Sequence, residues 1–340
     1  EIRGTLVAIG TDANPITFTT DEASAAQGQT WMGISIKGSQ GGNVQMDRFR
    51  LERSWWGISN DIAQPGVSYN WTNCQFKNNN YSIQLNADMV YDGCLFQENG
   101  VGQAAQILYG SLTANNCQFI DNFCSFTWSN FISVTNCLFQ GNGNNIVGSP
   151  GMVTNCQFID NDFAFAEAFG HTIQNCLFQG NGVAMDNTGN CNISNCVFEN
   201  NDVAVRLGDN GVLTNNIIND NTVGVAVLAY SPNSTLIENN TIQHLNIGIG
   251  YYLSTTVPKL PTLVKYNLLE DNNCGLAVAT DTFPLNLAYP LNNYFDTIYL
   301  QTECNVFSDD VTAFVTCGKI IPQGNINTAT GNKFYSCEDT

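Results

Sequence analysis

Short runs of alternating apolar and polar residues recur along most of this 340-residue chain, and asparagine and glycine separate them. The repeat is clearest as Asn-Cys-x-Phe or a close variant, with its cysteines at Cys74, Cys94, Cys117, Cys137, Cys156, Cys176 and Cys196. Successive cysteines are 20, 23, 20, 19, 20 and 20 residues apart, and weaker copies without cysteine follow at 215–218, 239–242 and 266–269. A period this regular predicts a solenoid of stacked coils.

Residues 191–205 show the pattern inside one unit. Apolar residues occupy every second position of three short segments, at Cys191 and Ile193, Cys196 and Phe198, and Val203 and Val205. A period of two is typical of strands, whereas a leucine-rich repeat would need apolar residues spaced by three and four in a helical return. The chain is therefore predicted to be an all-β parallel solenoid with three short strands in each coil of about 20 residues.

Asparagine dominates the corners between these strands because it tolerates left-handed backbone and its amide can bond the equivalent amide in the next coil. Two asparagine ladders are predicted. One contains Asn73, Asn116, Asn136, Asn155, Asn175, Asn195 and Asn215, and the other contains Asn79, Asn99, Asn122, Asn142, Asn161, Asn181, Asn201, Asn221 and Asn272.

The repeated cysteines are predicted to form a buried column of unbridged thiols. Buried cysteine packs as a small apolar residue, and parallel side chains on one face give poor geometry for a relaxed disulfide. The alternative is a chain of disulfides between successive coils, since equivalent residues lie about 4.8 Å apart.

The asparagine-marked repeat over about residues 44–275 resembles the right-handed parallel β-helix proteins of the pectate-lyase-like superfamily. The opening segments 4–11, 14–19 and 31–36 are similar to the first coils of β-helix domains in secreted bacterial surface proteins. We expect a β-helix over residues 1–280, and irregular C-terminal coils that cap the same solenoid over residues 281–340. A disulfide among Cys304, Cys317 and Cys337 is expected if the protein is exported, with the pair left open.

Charge limits the range of partners. Lys and Arg number 11 against 29 Asp and Glu, which gives a net charge of −18, and the chain has no basic run. Nucleic acid and anionic membrane surfaces are therefore poor partners. No apolar stretch approaches the length of a membrane span, so direct membrane insertion is not expected. The chain is expected to be extracellular or at the cell surface, with any export signal already removed, and to be part of a larger polypeptide or assembly. Glycosylation sequons lie at Asn70, Asn80, Asn192, Asn233 and Asn239.

The resemblance implies that an enzyme with this fold would carry a specific set of catalytic residues. The polygalacturonase type carries Asn-Thr-Asp, Asp-Asp, Gly-His-Gly and Arg-Ile-Lys motifs, which this chain does not reproduce as a set. Pectate-lyase types need an acidic Ca²⁺ cluster and a basic residue. The nearest approach here is Glu167, Asp186, Arg206 and Asp209, because Asp186 and Arg206 both lie ten residues after a repeat cysteine. Mutual neutralisation of Asp186 and Arg206 on a solvated face is the preferred interpretation.

Two further groups of residues were weighed as sites. His171 and Cys191 are predicted to share a column, where packing is favoured over metal binding because two ligands are too few. Trp31, Trp55, Trp56, Trp71 and Trp128 could stack on sugars. Trp71 is predicted to point inward, and Trp55 and Trp56 to opposite faces of one strand.

The leading hypothesis is an exported, non-catalytic β-helix that serves as a structural or adhesive component of a surface or fibre, with glycan binding as an option. Its partners would be polysaccharide or other surface proteins, and it needs no cofactor. The alternative is a polysaccharide lyase, epimerase or glycoside hydrolase acting on the outer face of the β-helix. In that case Glu167, Asp186, Arg206 and Asp209 are the site residues, and Ca²⁺ enters only for the lyase.

Overall fold

A computed structural model describes residues 1–21, 28, 30–62, 68–100, 103–107, 110–127, 130–147, 150–166, 169–220, 225–230, 234–252, 262–279, 300–303, 306–308, 312–317, 328–330 and 334–337. The chain forms two compact units, Glu1–Phe165 and Ala166–Thr340. In each unit the strands recur in threes, and, except in the last two pairs of the chain, a strand pairs in parallel with the strand three places further along. The fold is therefore the predicted right-handed parallel solenoid.

The first unit contains strands β1 to β21 and a 3₁₀ turn at Gly38–Gln40, and β1 (Thr5–Ile9) pairs with β4 (Asn43–Asp47). Its first sheet consists of β7 (Ser68–Thr72), β10 (Asp88–Asp92), β13 (Ser111–Asn115), β16 (Phe131–Thr135) and β19 (Gly151–Thr154). The second sheet consists of β2 (Ile16–Phe18), β5 (Phe49–Glu52), β8 (Gln75–Lys77), β11 (Leu95–Gln97), β14 (Gln118–Ile120), β17 (Leu138–Gln140) and β20 (Gln157–Ile159). The third sheet consists of β3 (Ile34–Ile36), β6 (Ile58–Asn60), β9 (Ile83–Leu85), β12 (Gln103–Ile107), β15 (Cys124–Thr127), β18 (Asn144–Val147) and β21 (Phe163–Ala166).

The second unit repeats this arrangement. Its first sheet consists of β22 (His171–Gln174), β25 (Asn192–Ser194), β28 (Val212–Thr214), β31 (Leu236–Glu238), β34 (Thr262–Lys265) and β37 (Leu300–Glu303). The second sheet consists of β23 (Leu177–Gln179), β26 (Val197–Glu199), β29 (Ile217–Asn219), β32 (Thr241–Gln243), β35 (Leu268–Glu270), β38 (Val306–Ser308) and β40 (Thr328–Thr330). The third sheet consists of β24 (Val183–Thr188), β27 (Val203–Leu207), β30 (Val225–Tyr230), β33 (Ile247–Tyr252), β36 (Cys274–Ala279), β39 (Thr312–Cys317) and β41 (Phe334–Cys337).

The C-terminal strands β37 to β41 pair in parallel like the coils before them. The predicted division at residue 280 stays a prediction. Cys317 and Cys337 are register partners on β39 and β41, whereas Cys304 lies outside the described residues. A disulfide among these three cysteines also stays a prediction.

A column of phenylalanine rings forms the core behind the second sheet. In the first unit each ring stacks nearly face to face on the next, with centroids 4.6 to 4.9 Å apart and interplanar angles of 3 to 8°. The column contains Phe76, Phe96, Phe119, Phe139 and Phe158, all of them fully buried. In the second unit Phe178 stacks on Phe198 at 4.7 Å, and Ile218 and Ile242 continue the column. These are the positions that the alternating pattern assigned to the interior.

The asparagine ladder at the corner between the second and third sheets is confirmed, except at Asn221, which lies outside the described residues. In the first unit it contains Asn79, Asn99, Asn122, Asn142 and Asn161, all buried. From Asn99 onward each amide oxygen accepts two hydrogen bonds from the preceding asparagine, one from its backbone N–H and one from its side-chain amide. Each amide nitrogen also donates to a backbone carbonyl of the preceding coil, so the corner leaves no amide of this ladder unsatisfied.

The other predicted asparagine column has a different role. Its members are exposed and lie at positive φ, near +55°, so they supply left-handed backbone and not a buried amide ladder. Gly93 takes the equivalent place in one coil, with φ +62°, which explains why that copy of the repeat reads Gly-Cys.

The repeat cysteines are buried and unbridged, as predicted. The backbone N–H of Cys117 donates to Cys137 Sγ at 3.3 Å, and that of Cys137 to Cys156 Sγ at 3.4 Å. The thiol of Cys137 in turn donates to Thr135 O at 3.3 Å. A hydrogen bond from the Cys117 thiol to Cys137, together with burial, raises the pKa of Cys117 to about 12, and burial alone raises the pKa of Cys124 to about 12.

Asparagine takes over the cysteine column in the second unit, which the sequence analysis did not foresee. Cys196 N donates to Asn216 Oδ1 at 2.9 Å, and Asn216 N then donates to Asn240 Oδ1 at the same distance. Asn240 donates in the same way to Asn267. The amide therefore replaces the thiol as acceptor for the preceding coil.

One register in the third sheet differs from the sequence analysis. The 20-residue step from Cys196 to Asn216 predicts Val225 beside Val205, but β27 and β30 pair Val205 with Val227. This coil therefore has two more residues between its second and third strands than the coil before it. Leu228 is the register partner of Arg206.

The buried thiols lead to a labelling prediction. We expect Cys117 and Cys124 to resist iodoacetamide in the native protein at pH 8 and to be alkylated fully in denaturant, because alkylation needs an exposed thiolate. Peptide mass mapping gives the measurement, and the denatured chain is the control. Equal labelling rates in the two states would contradict the buried column.

The same two thiols predict a loss of stability at high pH. Their folded pKa values lie above the unfolded value of about 8.5, so the free energy of unfolding should decline as the pH rises from about 8.5 toward 12.

Candidate functional site

The structure brings Asp186 and Arg206 together on the outer face of the third sheet. They lie on the neighbouring strands β24 and β27, and Arg206 Nη1 donates to Asp186 Oδ1 at 3.1 Å. The guanidinium is 39% exposed and the carboxylate 26%, so water screens the pair, which is worth at most about 1 kcal/mol. This is the mutual neutralisation that the spacing favoured.

The other members of the alternative enzyme site are Asp209 and Glu167. Asp209 is exposed in the turn after β27, where its backbone carbonyl accepts a hydrogen bond from Asn190 N at 2.7 Å. Glu167 lies outside the described residues. The assignment of these four residues to catalysis therefore stays a prediction.

His171 and Cys191 share a column of the first sheet, as the spacing predicted. His171 is buried, and its backbone N–H donates to Cys191 Sγ at 3.4 Å. Burial lowers the pKa of His171 to about 4, so the ring is neutral at pH 7. Within the described residues no group of three or more His, Cys, Asp or Glu side chains is placed to hold a metal ion.

We expect His171 to make the protein acid-sensitive. Its folded pKa of about 4 is below the unfolded value of about 6.5, so its contribution is complete above pH 6.5 and is lost as the pH falls toward 4. Denaturant unfolding at several pH values should show a shallower loss over this interval in His171→Gln than in the parent. Parallel curves would show that His171 does not control this response.

Four aromatic side chains lie at the corner between the second and third sheets of the first unit, and together we call them the aromatic corner: Trp55, Trp56, Tyr81 and Phe123. Trp55 is 43% exposed, Trp56 36% and Phe123 58%. The rings of Trp56 and Tyr81 stack at 4.9 Å with an interplanar angle of 22°. Met32, on the preceding coil, is exposed beside them, since its carbonyl accepts the Trp56 N–H at 3.2 Å. Trp55, Trp56 and Phe123 are therefore exposed at this corner, and Tyr81 is half-buried.

A tight turn places both tryptophans outside. Ser54 stands at the start of the asparagine ladder, where its N–H and Oγ both donate to Asn79 Oδ1, at 2.9 and 2.7 Å. Ser54 Oγ also accepts the N–H of Gly57 at 3.0 Å. Gly57 has φ +60°, and a Cβ there would overlap the carbonyl oxygen of Ser82, so the turn needs glycine. The prediction that Trp55 and Trp56 point to opposite faces is wrong because they lie in this turn and not in a strand.

Of the other three tryptophans, one is buried, one is half-buried and one lies outside the described residues. Trp71 is buried, as predicted, and packs against Phe49 and Phe76. Trp31 is half-buried and its ring N–H donates to Glu52 O at 2.8 Å. Trp128 lies outside the described residues. Phe123 was not singled out from the sequence, although its place directly after the ladder residue Asn122 is the signal that could have found it.

Charged groups of both signs lie beside the aromatic corner. Arg53, Glu98 and Asp121 each stand two residues before a position of the corner column and are exposed, and Lys77 is half-buried at the same corner. Residues 78–205 of the sequence contain neither lysine nor arginine. Positive charge is therefore confined to the first coils of the corner.

Comparisons with known proteins give one partial family match and several distant structural likenesses. The family model for the right handed β-helix region matches residues 140–297. The chain is a right-handed parallel β-helix. A search of curated proteins found none that matches the β-helix. In the described part of the chain, no helix has the length and apolar character to cross a membrane.

Solved structures with low identity resemble the β-helix. One is the Streptococcus pneumoniae surface protein and adhesin PfbA, with 13% identity, a TM-score of 0.37, and coverage of 98% of this chain and 91% of that one. Another is a tailspike protein of E. coli bacteriophage HK620 in complex with a pentasaccharide, with 10% identity, a TM-score of 0.36, and coverage of 94% and 69%. A third is a mannuronic acid specific polysaccharide family 6 lyase from human gut microbiota, with 11% identity, a TM-score of 0.28, and coverage of 94% and 73%.

Proposed function

We propose that this β-helix is an exported, non-catalytic surface protein that binds glycans through the aromatic corner. The observation that carries the proposal is the stacked pair of Trp56, which the turn from Ser54 to Gly57 exposes to solvent, and Tyr81, which is half-buried. Extracellular or cell-surface location belongs to the proposal, as do polysaccharide or other surface proteins as partners.

Aromatic platforms suit sugars for a physical reason. The C–H face of a pyranose ring is apolar and flat, so it packs on an indole or phenol ring while the hydroxyl groups stay in water or find hydrogen bonds. Exposure of large aromatic groups costs solvation free energy in the unbound protein, and binding recovers it. The turn from Ser54 to Gly57 fixes the rings before binding, so little conformational entropy is lost when a sugar arrives.

Support for a non-catalytic role comes from the pairing of Arg206. A lyase base or charge stabiliser must be available to the substrate, but the guanidinium of Arg206 is hydrogen-bonded to Asp186. A carbohydrate lyase, epimerase or hydrolase is the alternative that the experiment below includes.

The proposal is tested by binding the protein to an array of immobilised polysaccharides. We expect Trp56→Ala to weaken binding about tenfold, which corresponds to 1.4 kcal/mol and is typical of one aromatic contact. Phe131→Ala is the matched control, because Phe131 is also an exposed aromatic residue but lies on the first sheet. Melting temperatures of both variants establish that they are folded.

Three outcomes would contradict the proposal. Binding to no glycan would do so, and so would equal affinities of the Trp56→Ala variant and the parent. The third is turnover of uronate or neutral polysaccharides, read as unsaturated products or new reducing ends, that Arg206→Ala abolishes. That result would establish the enzyme instead.

A further inference from the structure

We infer that Asn210 is a site of spontaneous covalent modification in the folded protein, where the side-chain amide is lost and aspartate or isoaspartate takes the place of asparagine. The inference is independent of glycan binding and concerns the turn between β27 and β28 of the second unit. The motif behind it is Asn-Gly, which occurs four times in the sequence, beginning at Asn99, Asn142, Asn181 and Asn210. The structure distinguishes the last pair from the other three.

The reaction needs no reagent other than water. The backbone nitrogen of Gly211 attacks Cγ of Asn210 and gives up its proton. A bond forms between these two atoms, and the Cγ–Nδ2 bond breaks and releases ammonia. Water then opens the five-membered imide, at the side-chain carbonyl to give aspartate or at the backbone carbonyl to give isoaspartate. Asparagine is a thermolabile residue, and glycine after it lets the backbone nitrogen approach because glycine has no Cβ.

Three of the four Asn-Gly pairs belong to the buried asparagine ladder. In the first of them the Asn99 amide nitrogen donates to Phe76 O at 3.1 Å and to Asn122 Oδ1 at 2.8 Å, so two acceptors hold the leaving group. The attacking nitrogen is held as well, because Gly100 N donates to Asn79 O at 2.7 Å. Asn99 is fully buried. Reaction at this pair therefore requires the coil to open first.

The other two ladder pairs are constrained in a similar way. Asn142 is buried, and Gly143 N donates to Asn122 O at 3.0 Å. Asn181 is buried, and its amide nitrogen donates to Asn201 Oδ1 at 2.8 Å. The hydrogen bonds that join the coils thus protect these pairs from the same reaction.

The fourth pair lies outside the ladder, in the turn that follows β27. Asn210 is exposed at φ +55°, and its amide nitrogen donates to Asn190 Oδ1 at 3.0 Å in contact with water. Gly211 N donates to Gly208 O across the turn at 3.3 Å, which is long for a hydrogen bond. Water reaches the leaving amide, and a local change in the turn is enough to release the attacking nitrogen.

The fold favours this reactive pair despite its chemistry. Positive φ favours asparagine or glycine at position 210. A Cβ on Gly211 would lie 2.6 Å from Cγ of Leu207, which is fully buried, so a larger residue would shift the core. The product adds a negative charge next to Asp209 and removes the amide donor to Asn190. The reacted fraction grows with the age of the folded protein.

The test is incubation of the native protein at mildly alkaline pH, followed by pepsin digestion in acid and peptide mass mapping. We expect the Asn210 peptide to show the mass change from amide to acid at least about tenfold faster than the Asn99, Asn142 and Asn181 peptides, which react only from opened coils. In denaturant the four pairs should react at similar rates, because they are the same dipeptide. Methylation by an isoaspartyl methyltransferase should label the Asn210 peptide of the incubated native protein.

Asn190 is the matched control within the chain. It is exposed at φ +54° in the equivalent turn of the preceding coil, but Cys191 follows it in place of glycine. We expect it to react more slowly than Asn210. Native rates at Asn210 that equal those of the three ladder pairs would overturn the inference. Equal rates at Asn190 and Asn210 would overturn it too, since the glycine would then have no part in the reaction.

Discussion

Replacement of Phe139 by alanine should lower the free energy of unfolding by about 3–5 kcal/mol. Phe139 is fully buried between Phe119 and Phe158, with ring centroids 4.9 and 4.6 Å away and almost parallel planes. Phe126 packs edge-on against it at 5.8 Å. Neighbouring rings are held by their own coils at a fixed spacing, so they cannot close the cavity that alanine would leave.

Denaturant unfolding of Phe139→Ala measures this loss. Gln140→Ala is the matched control, because Gln140 is the next residue of β17 and points to solvent. We expect the control to lie within about 0.5 kcal/mol of the parent. Similar losses in both variants would mean that the alternation of inward and outward positions in β17 is wrong.

Replacement of Asn122 by alanine should cost about 3 kcal/mol or more, because it leaves several buried polar groups without partners at once. The Asn122 amide oxygen accepts from Asn99 N and Asn99 Nδ2, at 3.2 and 2.8 Å. Its amide nitrogen donates to Phe96 O and to Asn142 Oδ1, both at 3.0 Å. Water has no access to repair these bonds, since Asn122 is buried.

Asn155→Gly supplies the control for the ladder. Asn155 is exposed at φ +55°, a conformation that glycine adopts without strain, so its replacement should change stability by only a few tenths of a kcal/mol. Unfolding of the two variants in parallel distinguishes a hydrogen-bonding asparagine from a conformational one. A loss below 1 kcal/mol for Asn122→Ala would contradict the ladder as a source of stability.

Most of the fold could be predicted because the repeat encodes it several times over. Each copy of Asn-Cys-x-Phe specifies one corner, one inward thiol and one inward ring. Where one copy is ambiguous, alignment with the other copies shows which of its residues point inward. Prediction failed where a single coil departs from the period. Val227 takes the place expected for Val225 because two residues were added at a turn, and no neighbouring copy of the sequence shows where they go.

The candidate site was only partly readable for the same reason. Contact between Asp186 and Arg206 followed from their common distance from a repeat cysteine. Exposure of both Trp55 and Trp56 could not be predicted from the repeat. It depends on a turn closed by Ser54, a serine that takes the place of an asparagine in the ladder. Phe123 becomes recognisable only when its coil is aligned through space with that of Trp55.

The exchange of cysteine for asparagine between Cys196 and Asn216 bears on how such a chain can change over generations. Either side chain accepts a hydrogen bond from a backbone N–H of the preceding coil. A coil therefore fits the stack when it supplies an acceptor at this position, whichever of the two residues provides it. An in-frame tandem duplication or loss of one whole unit of about twenty codons would restore both junctions, whereas one codon inserted within a strand would turn the rest of that strand inside out. Length changes in such a chain are therefore expected as whole coils or as residues added in the turns.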